Sequence, residues 1–107
     1  MPMIKVRGIS KEEVIKESSK LIDLLVEIIE CPRDYFSIEL INNTFIMDGE
    51  VTDAPSIIEV EWFDRGQEVQ DKVAKTITEY FKKDRECLDV VFKSLECKNY
   101  YENGKHF

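Results

Sequence analysis

Hydrophobic and polar residues alternate in four short stretches of the chain, and this period of two is typical of β-strands. The stretches are residues 3–6, 36–40, 56–63 and 88–95. In each of them every second side chain is apolar, so one face of the strand is suited to burial. The pattern therefore predicts four main strands.

Two longer segments carry apolar residues at the three-to-four-residue spacing of a helix. The first begins at Ser10, which forms a capping box with Glu13, and ends at Pro32 beside Cys31. The second begins between residues 64 and 66 and ends between residues 84 and 86. Both segments are predicted to be amphipathic helices that cover a sheet.

The remaining segments contain turn signals. Asp48-Gly49 predicts a tight turn after a short extended piece at residues 44–47, and residues 51–55 are predicted to be a loop. Asn103-Gly104, with aromatic residues on both sides, predicts a small terminal hairpin that can pair with a neighbouring sheet edge.

The two halves of the chain are similar when one is shifted by 54 positions, which places Ile4 over Ile58 and Val6 over Val60. Each half reads strand, helix, strand, and a crossover helix makes its two strands parallel. The predicted fold is a single α+β domain over residues 1–107, a two-layer sandwich with a four-stranded sheet and both helices on one face. The other face carries apolar residues, which predicts that oligomerisation covers it; these are Ile57, Phe63, Val91 and Leu95.

Composition narrows the classes of function. The chain has 43% hydrophobic and 35% charged residues, and its net charge of -7 argues against nucleic-acid binding. No apolar run reaches the roughly 20 residues that span a bilayer, and the opening residues do not resemble a signal peptide. Three cysteines without paired spacing indicate reduced thiols, so we expect a cytoplasmic protein with no membrane contact.

The stretches MPMI, GISKEE, EWFDRGQEVQDKVAK and NYYENGKHF, set within a duplicated strand-helix-strand chain, carry a resemblance to a known family. The chain resembles the tautomerase superfamily, which includes 4-oxalocrotonate tautomerase and macrophage migration inhibitory factor (MIF), and more closely a largely uncharacterised bacterial branch of it. This resemblance implies a homotrimer with sheets inward, helices outward and three sites between neighbours.

Pro2 is the candidate catalytic residue. If Met1 is removed, Pro2 presents a secondary amine whose ring restricts its orientation. Burial and nearby cations lower the proton affinity of such an amine, so it can act as a general base near neutral pH on a carbon next to a carbonyl. The chemistry is proton transfer alone, so no metal or organic cofactor is expected. Pro2 also has a purely structural interpretation, since the first residue of a strand tolerates proline.

The resemblance also shows departures. Ile9 and Ser37 stand nearest to the positions where the oxalocrotonate enzyme has arginines for its substrate carboxylates, and neither can pair with a carboxylate. MIF has a lysine at the end of its first helix. Arg33 lies near that position in this chain and is a candidate to replace the lysine in binding a substrate. A diacid substrate is therefore not expected.

Arg65 is the second candidate for binding a carboxylate, because it is predicted to stand at the head of the second helix, where the helix dipole favours an anion. The alternative is a surface ion pair with Asp64 or Glu68. Tyr100 and Tyr101 are candidates for the roof of the pocket, with simple aromatic packing of the terminus as the alternative. His106 has no neighbouring ligands for a metal.

Two classes of function follow. The first is a tautomerase that uses Pro2 on a small, carboxylate-bearing keto or enol substrate. The second is a trimeric binding or structural protein that keeps the fold without the chemistry. The Met-Pro start favours the first class, and the missing arginines favour the second.

Overall fold

The computed structural model describes residues 2–107. Its elements in chain order are β1 (Met3–Arg7), α1 (Lys11–Ile29), β2 (Ser37–Leu40), β3 (Phe45–Met47), β4 (Glu50–Thr52), β5 (Ile57–Trp62), α2 (Gln67–Phe81), β6 (Asp89–Ser94), β7 (Tyr101–Glu102) and β8 (Lys105–His106), with short 3₁₀ turns at Arg33–Tyr35 and Cys97–Asn99.

Four strands form one mixed sheet in the order β2-β1-β5-β6. The outer pairs β1–β2 and β5–β6 are parallel, as each strand-helix-strand unit requires, and the central pair β1–β5 is antiparallel. In the central pair Ile4 lies opposite Val60, Lys5 opposite Glu59 and Val6 opposite Ile58. The predicted α+β sandwich with both helices on one face is confirmed.

The core lies between the sheet and the two helices. The inward residues of the central strands are almost fully buried and pack against the apolar stripes of α1 and α2. These core residues include Ile4, Val6, Leu21, Leu25, Ile58, Val60, Trp62, Val73, Ile77 and Phe81. No helix within residues 2–107 is both long enough and apolar enough to cross a membrane.

The start of α1 is half of the predicted capping box. The Ser10 hydroxyl accepts a hydrogen bond from the Glu13 amide at 3.3 Å. The Glu13 carboxylate, however, does not reach back to Ser10 but accepts two hydrogen bonds from Arg85, at 3.0 and 3.1 Å. Glu13 therefore ties α1 to the segment between α2 and β6, because a bidentate arginine pair is stronger than the local cap.

The face of the sheet away from the helices carries charged residues as well as the apolar ones named above. Its centre holds ion pairs of Glu59 with Arg7 and Lys93, and of Glu61 with Lys5. Burial raises the pKa of Glu59, but the hydrogen bond from Lys93 and the charges of Lys93, Arg7 and Lys5 outweigh it, so the pKa lies below its ordinary value. Charges on this face are thus largely neutralised by one another.

Two hairpins project from the sandwich. The first is β3–β4, which turns at Asp48-Gly49 with both residues at positive φ. The second is β7–β8, which turns at Asn103-Gly104 in the same way. Both turns were predicted. β4 was not, and it extends into the segment that was predicted to be a loop. Its residues are all exposed, so no burial pattern marks them as a strand.

Candidate active site

Pro2 is fully buried and directly precedes β1, which is one of the two central strands of the sheet. Its carbonyl oxygen accepts a hydrogen bond from the Ser37 amide at 3.2 Å, which holds it to β2. Met3 lies opposite Glu61 in the antiparallel register, so one further step places Pro2 beside Trp62 of β5. The backbone of Pro2 is therefore held to β2 by a hydrogen bond and lies beside β5.

The strand directions gather several chain segments at this end of the sheet. β1 and β2 begin here, whereas β5 and β6 end here. The loop after β5 carries Arg65, and the segment after β6 leads to the C-terminal hairpin. All five predicted site residues belong to segments that meet at this end, and their side-chain contacts decide which of them come together; they are Pro2, Arg33, Arg65, Tyr100 and Tyr101.

Arg65 is exposed on the loop between β5 and α2, and its Nη1 donates to the Ile29 carbonyl at the end of α1, at 3.4 Å. Within residues 2–107 it forms no ion pair with an acid. The predicted alternative partners are engaged elsewhere, since Asp64 accepts from the Gly66 amide at 2.8 Å and Glu68 pairs with Lys72. The charge of Arg65 is therefore left for other partners.

Cys31, which follows α1, is buried close to Arg65. Burial raises the pKa of the Cys31 thiol, because the thiolate would lose hydration, and the positive charge of Arg65 opposes this shift only in part. The thiol is therefore neutral near pH 7, and Cys31 packs in the hydrophobic core as an apolar, polarisable group rather than serving as a nucleophile.

Arg33 does not join Arg65. Its guanidinium pairs with Asp23 and contacts the Ser19 carbonyl at 3.4 Å, on the exposed side of α1. Ser19 and Ile29 are ten residues apart, which corresponds to about 15 Å along the helix axis. Arg33 instead borders a shallow groove of about 280 Å³ between α1 and β2. Within one chain, one carboxylate cannot contact both arginines.

The two candidate tyrosines have different environments. Tyr100 is half-buried and stacks on Phe107 at 4.8 Å between ring centroids, and it contacts Phe63 at 5.6 Å. Phe63 lies two residues before Arg65, so this aromatic cluster borders the Arg65 loop. Tyr101 is 61% exposed and meets only His106, at 5.8 Å, among the aromatic rings of the described chain. The structure brings Tyr100, but not Tyr101, to the loop of Arg65.

Trp62 is a further feature of this end, and the sequence pattern did not mark it as a functional residue. Its side chain is almost fully buried, and its indole N–H has no hydrogen-bond partner among residues 2–107. A buried donor without a partner is uncommon in proteins and requires an explanation such as a functional role. No local sequence signal marks this position, because the pairing of Trp62 with Pro2 follows from the antiparallel register of β1 and β5, which periodicity does not specify.

Comparison with other proteins supports the fold and identifies the family. No curated protein matches the sequence significantly. A structure of MIF-like protein from Entamoeba histolytica superimposes with a TM-score of 0.72 at 12% identity, covering 99% of this chain and 98% of that one. A fused 4-OT structure described as an asymmetric trimer has a TM-score of 0.71 at 16% identity, covering 97% and 94%. The chain thus has the MIF and tautomerase fold.

Two bacterial structures are more similar. A domain of unknown function (DUF1904) from Sebaldella termitidis is 44% identical with a TM-score of 0.92, and the match covers 100% of both chains. A protein of unknown function from Vibrio cholerae is 31% identical with a TM-score of 0.86, covering 99% of this chain and 87% of that one. The model of the DUF1904 domain of unknown function matches residues 1–106. The chain therefore belongs to the DUF1904 family.

Proposed function

We propose that the protein is a tautomerase in which Pro2, after removal of Met1, is the general base. The observation that carries the proposal is the fully buried Pro2 ring at the head of the central strand, beside a loop whose arginine has no acidic partner within residues 2–107. A reactive group fixed between two strands is pre-oriented for proton transfer.

The surroundings of Pro2 support a role for this amine near neutral pH. An ordinary α-amino group has a pKa of about 8. Burial beside Trp62 disfavours the ammonium form, and the positive charge of Arg65, three residues after Trp62, would act in the same direction on an amine that it approaches. The unprotonated amine would take a proton from the carbon next to a carbonyl, and the resulting ammonium would return it to the enolate oxygen or carbon.

The proposed substrate is a small monocarboxylate. Arg65 would pair with its carboxylate, and the ring cluster of Phe63, Tyr100 and Phe107 would contact its apolar part. The second predicted cation, Arg33, is engaged with Asp23 beside the groove between α1 and β2, so it does not offer a second carboxylate site next to Arg65 of the same chain. Arg33 and Tyr101 therefore contribute to the proposed site only if a neighbouring subunit brings them.

The proposal includes a cytoplasmic homotrimer. The trimer is supported by the fold that the chain shares with a structure described as an asymmetric trimer. The cytoplasmic location is supported by the three cysteines, which form no disulfide within residues 2–107. Within those residues, no group of three His, Cys, Asp or Glu side chains is arranged to hold a metal ion. The proposed proton transfer uses side chains and the N-terminus only.

The test begins with the intact mass of protein purified from its native host, which reports whether Met1 is removed. Turnover of phenylenolpyruvate and of a 2-hydroxydienoate is then followed by absorbance. Pro2→Ala keeps an N-terminal amine but loses the rigid ring, and we expect kcat to fall about 10²-fold or more. One extra residue before Pro2 places its nitrogen in an amide, and we expect turnover to vanish.

Arg65→Ala tests the binding role separately. We expect KM to rise about tenfold with kcat little changed, because the carboxylate contact is present in both the ground state and the transition state. Lys72→Ala is the matched control, since it removes an exposed cation that pairs with Glu68 on the outer surface. Equal rates for wild type and Pro2→Ala would refute the general-base role.

A second candidate is a binding protein without turnover. The observation that favours it is that, among the described residues, Arg33 pairs with Asp23, so Arg65 is the only one of the two predicted site arginines without an acidic partner. Retained Met1, with carboxylate binding that depends on Arg65 and no turnover of either substrate, would establish this alternative.

A further inference from the structure

The side chain of Pro2 is less than 2% exposed in a chain that still carries Met1. The nitrogen of Pro2 is one of the two atoms joined by the peptide bond that is cleaved when Met1 is removed. Because this nitrogen belongs to the rigid ring, it cannot turn away from its neighbours independently of the ring. The burial of Pro2 therefore bears on when the N-terminal amine can be formed.

The backbone around Pro2 is also held in the sheet. Its carbonyl oxygen accepts a hydrogen bond from the Ser37 amide at 3.2 Å. The next residue, Met3, pairs with Ser37 on one side and with Glu61 on the other. Ile4, which follows, is only 1% exposed. Pulling Pro2 out of the sheet thus breaks strand pairing and brings buried side chains into water, so the open form is rare.

An aminopeptidase and a small substrate make different demands on this end of the chain. The peptidase must enclose residues on both sides of the bond that it cleaves. Cleavage of a folded chain therefore proceeds through the fraction of molecules in which the segment is open. A small keto acid has only to reach the nitrogen that the removal of Met1 leaves free. The same burial can exclude the peptidase from the unprocessed chain and still permit the proposed proton transfer.

During synthesis there is a period in which Pro2 has no partners. Ser37 follows Pro2 by about 35 positions, and Trp62, which lies beside it in the completed sheet, follows by about 60. At about 5–20 residues per second, the ribosome needs about 3–12 s to extend the chain from Pro2 to Trp62. Until then β1 cannot take its place between β2 and β5, because β5 has not been made.

We propose that Met1 is removed only before the sheet closes, so that the folded chain keeps the N-terminus that it had at that moment. Chains processed in time carry a free Pro2 amine. Chains that fold first keep Met1, and the consequence for activity, which rests on the proposed function, is that their Pro2 nitrogen stays in an amide and is not a base. The active fraction is then set by the competition between folding and processing.

The test uses full-length protein made without aminopeptidase activity, so that every chain begins with Met1. The folded protein is incubated with purified methionine aminopeptidase, and intact mass records the loss of one methionine. The matched control has Ala-Gly-Ser inserted between Met1 and Pro2, which moves the cleaved bond away from the buried ring. We expect the wild-type chain to be processed at least about 10²-fold more slowly than this control. A difference of less than about tenfold overturns the proposal.

Gly8→Ala tests whether processing depends on opening of the sheet. A Cβ at Gly8, directly after β1, would lie 2.3 Å from the Pro55 carbonyl oxygen, whereas a Cβ at Gly49 would have no atom within 4 Å. Gly8→Ala is therefore expected to speed the removal of Met1 from the folded chain about tenfold or more, and Gly49→Ala about fivefold or less. Equal rates for the two variants would overturn the link between processing and the sheet.

Cells provide a second measurement that needs no variant. In a host strain with reduced aminopeptidase activity, intact mass gives the share of chains that keep Met1, both when synthesis is stopped and several hours later. We expect this share to rise with the rate of expression and to stay constant after synthesis stops. A share that falls to zero afterwards overturns the proposal. None of these measurements records turnover, so their outcome is independent of whether Pro2 is the general base.

Discussion

Gly8 follows β1, and its replacement by alanine is expected to destabilise the whole fold. Its φ of +75° is left-handed, and a Cβ at this position would lie 2.3 Å from the Pro55 carbonyl oxygen and 2.8 Å from the Pro55 carbonyl carbon. Both neighbouring atoms are backbone atoms, so they cannot move aside as the end of a flexible side chain would. The segment before β5 must shift by about 1 Å to restore an ordinary contact distance.

The size of the effect follows from three contributions. A left-handed conformation costs about 1–2 kcal/mol for an alanine. The shift strains the hydrogen bond from the Ser56 hydroxyl to the Gly8 carbonyl, at 3.0 Å, and the one from the Asp89 amide to the Ser56 carbonyl, at 3.1 Å. Each is worth about 1 kcal/mol. Alanine also reduces the entropy of the unfolded chain, which favours the folded state by about 0.4–1 kcal/mol. After this is subtracted, the free energy of unfolding falls by about 3 kcal/mol.

Urea denaturation followed by circular dichroism measures this loss. With an m-value of about 1.5 kcal/mol per molar for a chain of this size, the midpoint is expected to fall by about 2 M. Gly49→Ala is the matched control, because Gly49 has a φ of +79° but no atom within 4 Å of a built Cβ. It is expected to lose about 1 kcal/mol. Equal midpoints for the two variants would show that the contact with Pro55 does not constrain Gly8.

Three further predictions concern charge and thiol chemistry. Arg85→Ala is expected to lower the free energy of unfolding by about 2 kcal/mol in urea, since it leaves Glu13 without two charge-assisted hydrogen bonds. The pKa values of Glu13 and Glu59 are lower in the folded chain than in the unfolded chain. The stability that these carboxylates contribute is therefore present above the ordinary carboxyl pKa and is lost as the pH falls below about 4. Glu59→Gln should reduce the dependence of the unfolding free energy on pH between about pH 5 and 3, and an unchanged dependence would contradict this. Iodoacetamide at pH 7 should label exposed Cys97 well before Cys31, as peptide mass spectrometry can show, because Cys31 is buried and its pKa is raised.

Much of the fold was predictable because its signals are local. The strands β1, β2, β5 and β6 each show a period of two, and the helices show a period of 3.6, since one face of every element is buried. The strand order was not predictable, because periodicity does not say which strand edges meet. β4 was missed for a related reason: its three residues are all exposed, so no burial pattern marks them.

The candidate site was predictable only in part. Pro2 stands out by its position in the chain, and Arg65 by its place before α2. The contact of Arg65 with the Ile29 carbonyl depends on how α1 packs beside the β5–α2 loop, which no local pattern records. Arg33 was placed near the site by resemblance, but its charge is satisfied by Asp23, an acid ten residues earlier on α1. Contacts between residues this far apart in the sequence depend on tertiary packing.

The internal repeat explains why the site lies at one end of the sheet and not at the other. Under the 54-residue shift Lys5 corresponds to Glu59, and these two residues lie directly opposite each other, so an approximate two-fold axis passes between them. The axis exchanges the pair Pro2 and Trp62 at one end with the pair Ser56 and Gly8 at the other.

These two equivalent ends have diverged in opposite ways. At one end the small residues Gly8 and Ser56 allow the backbones to touch, with a hydroxyl-to-carbonyl hydrogen bond of 3.0 Å that closes the end. At the other end the bulky Pro2 and Trp62 lie side by side. The indole N–H of Trp62 has no hydrogen-bond partner in the described chain. Gly8→Ala and Pro2→Ala therefore probe equivalent places in a duplicated fold, and we expect the first to reduce stability and the second to reduce turnover. A Pro2→Ala variant as unstable as Gly8→Ala, with the turnover of its folded fraction unchanged, would mean that both ends serve only to hold the sheet together.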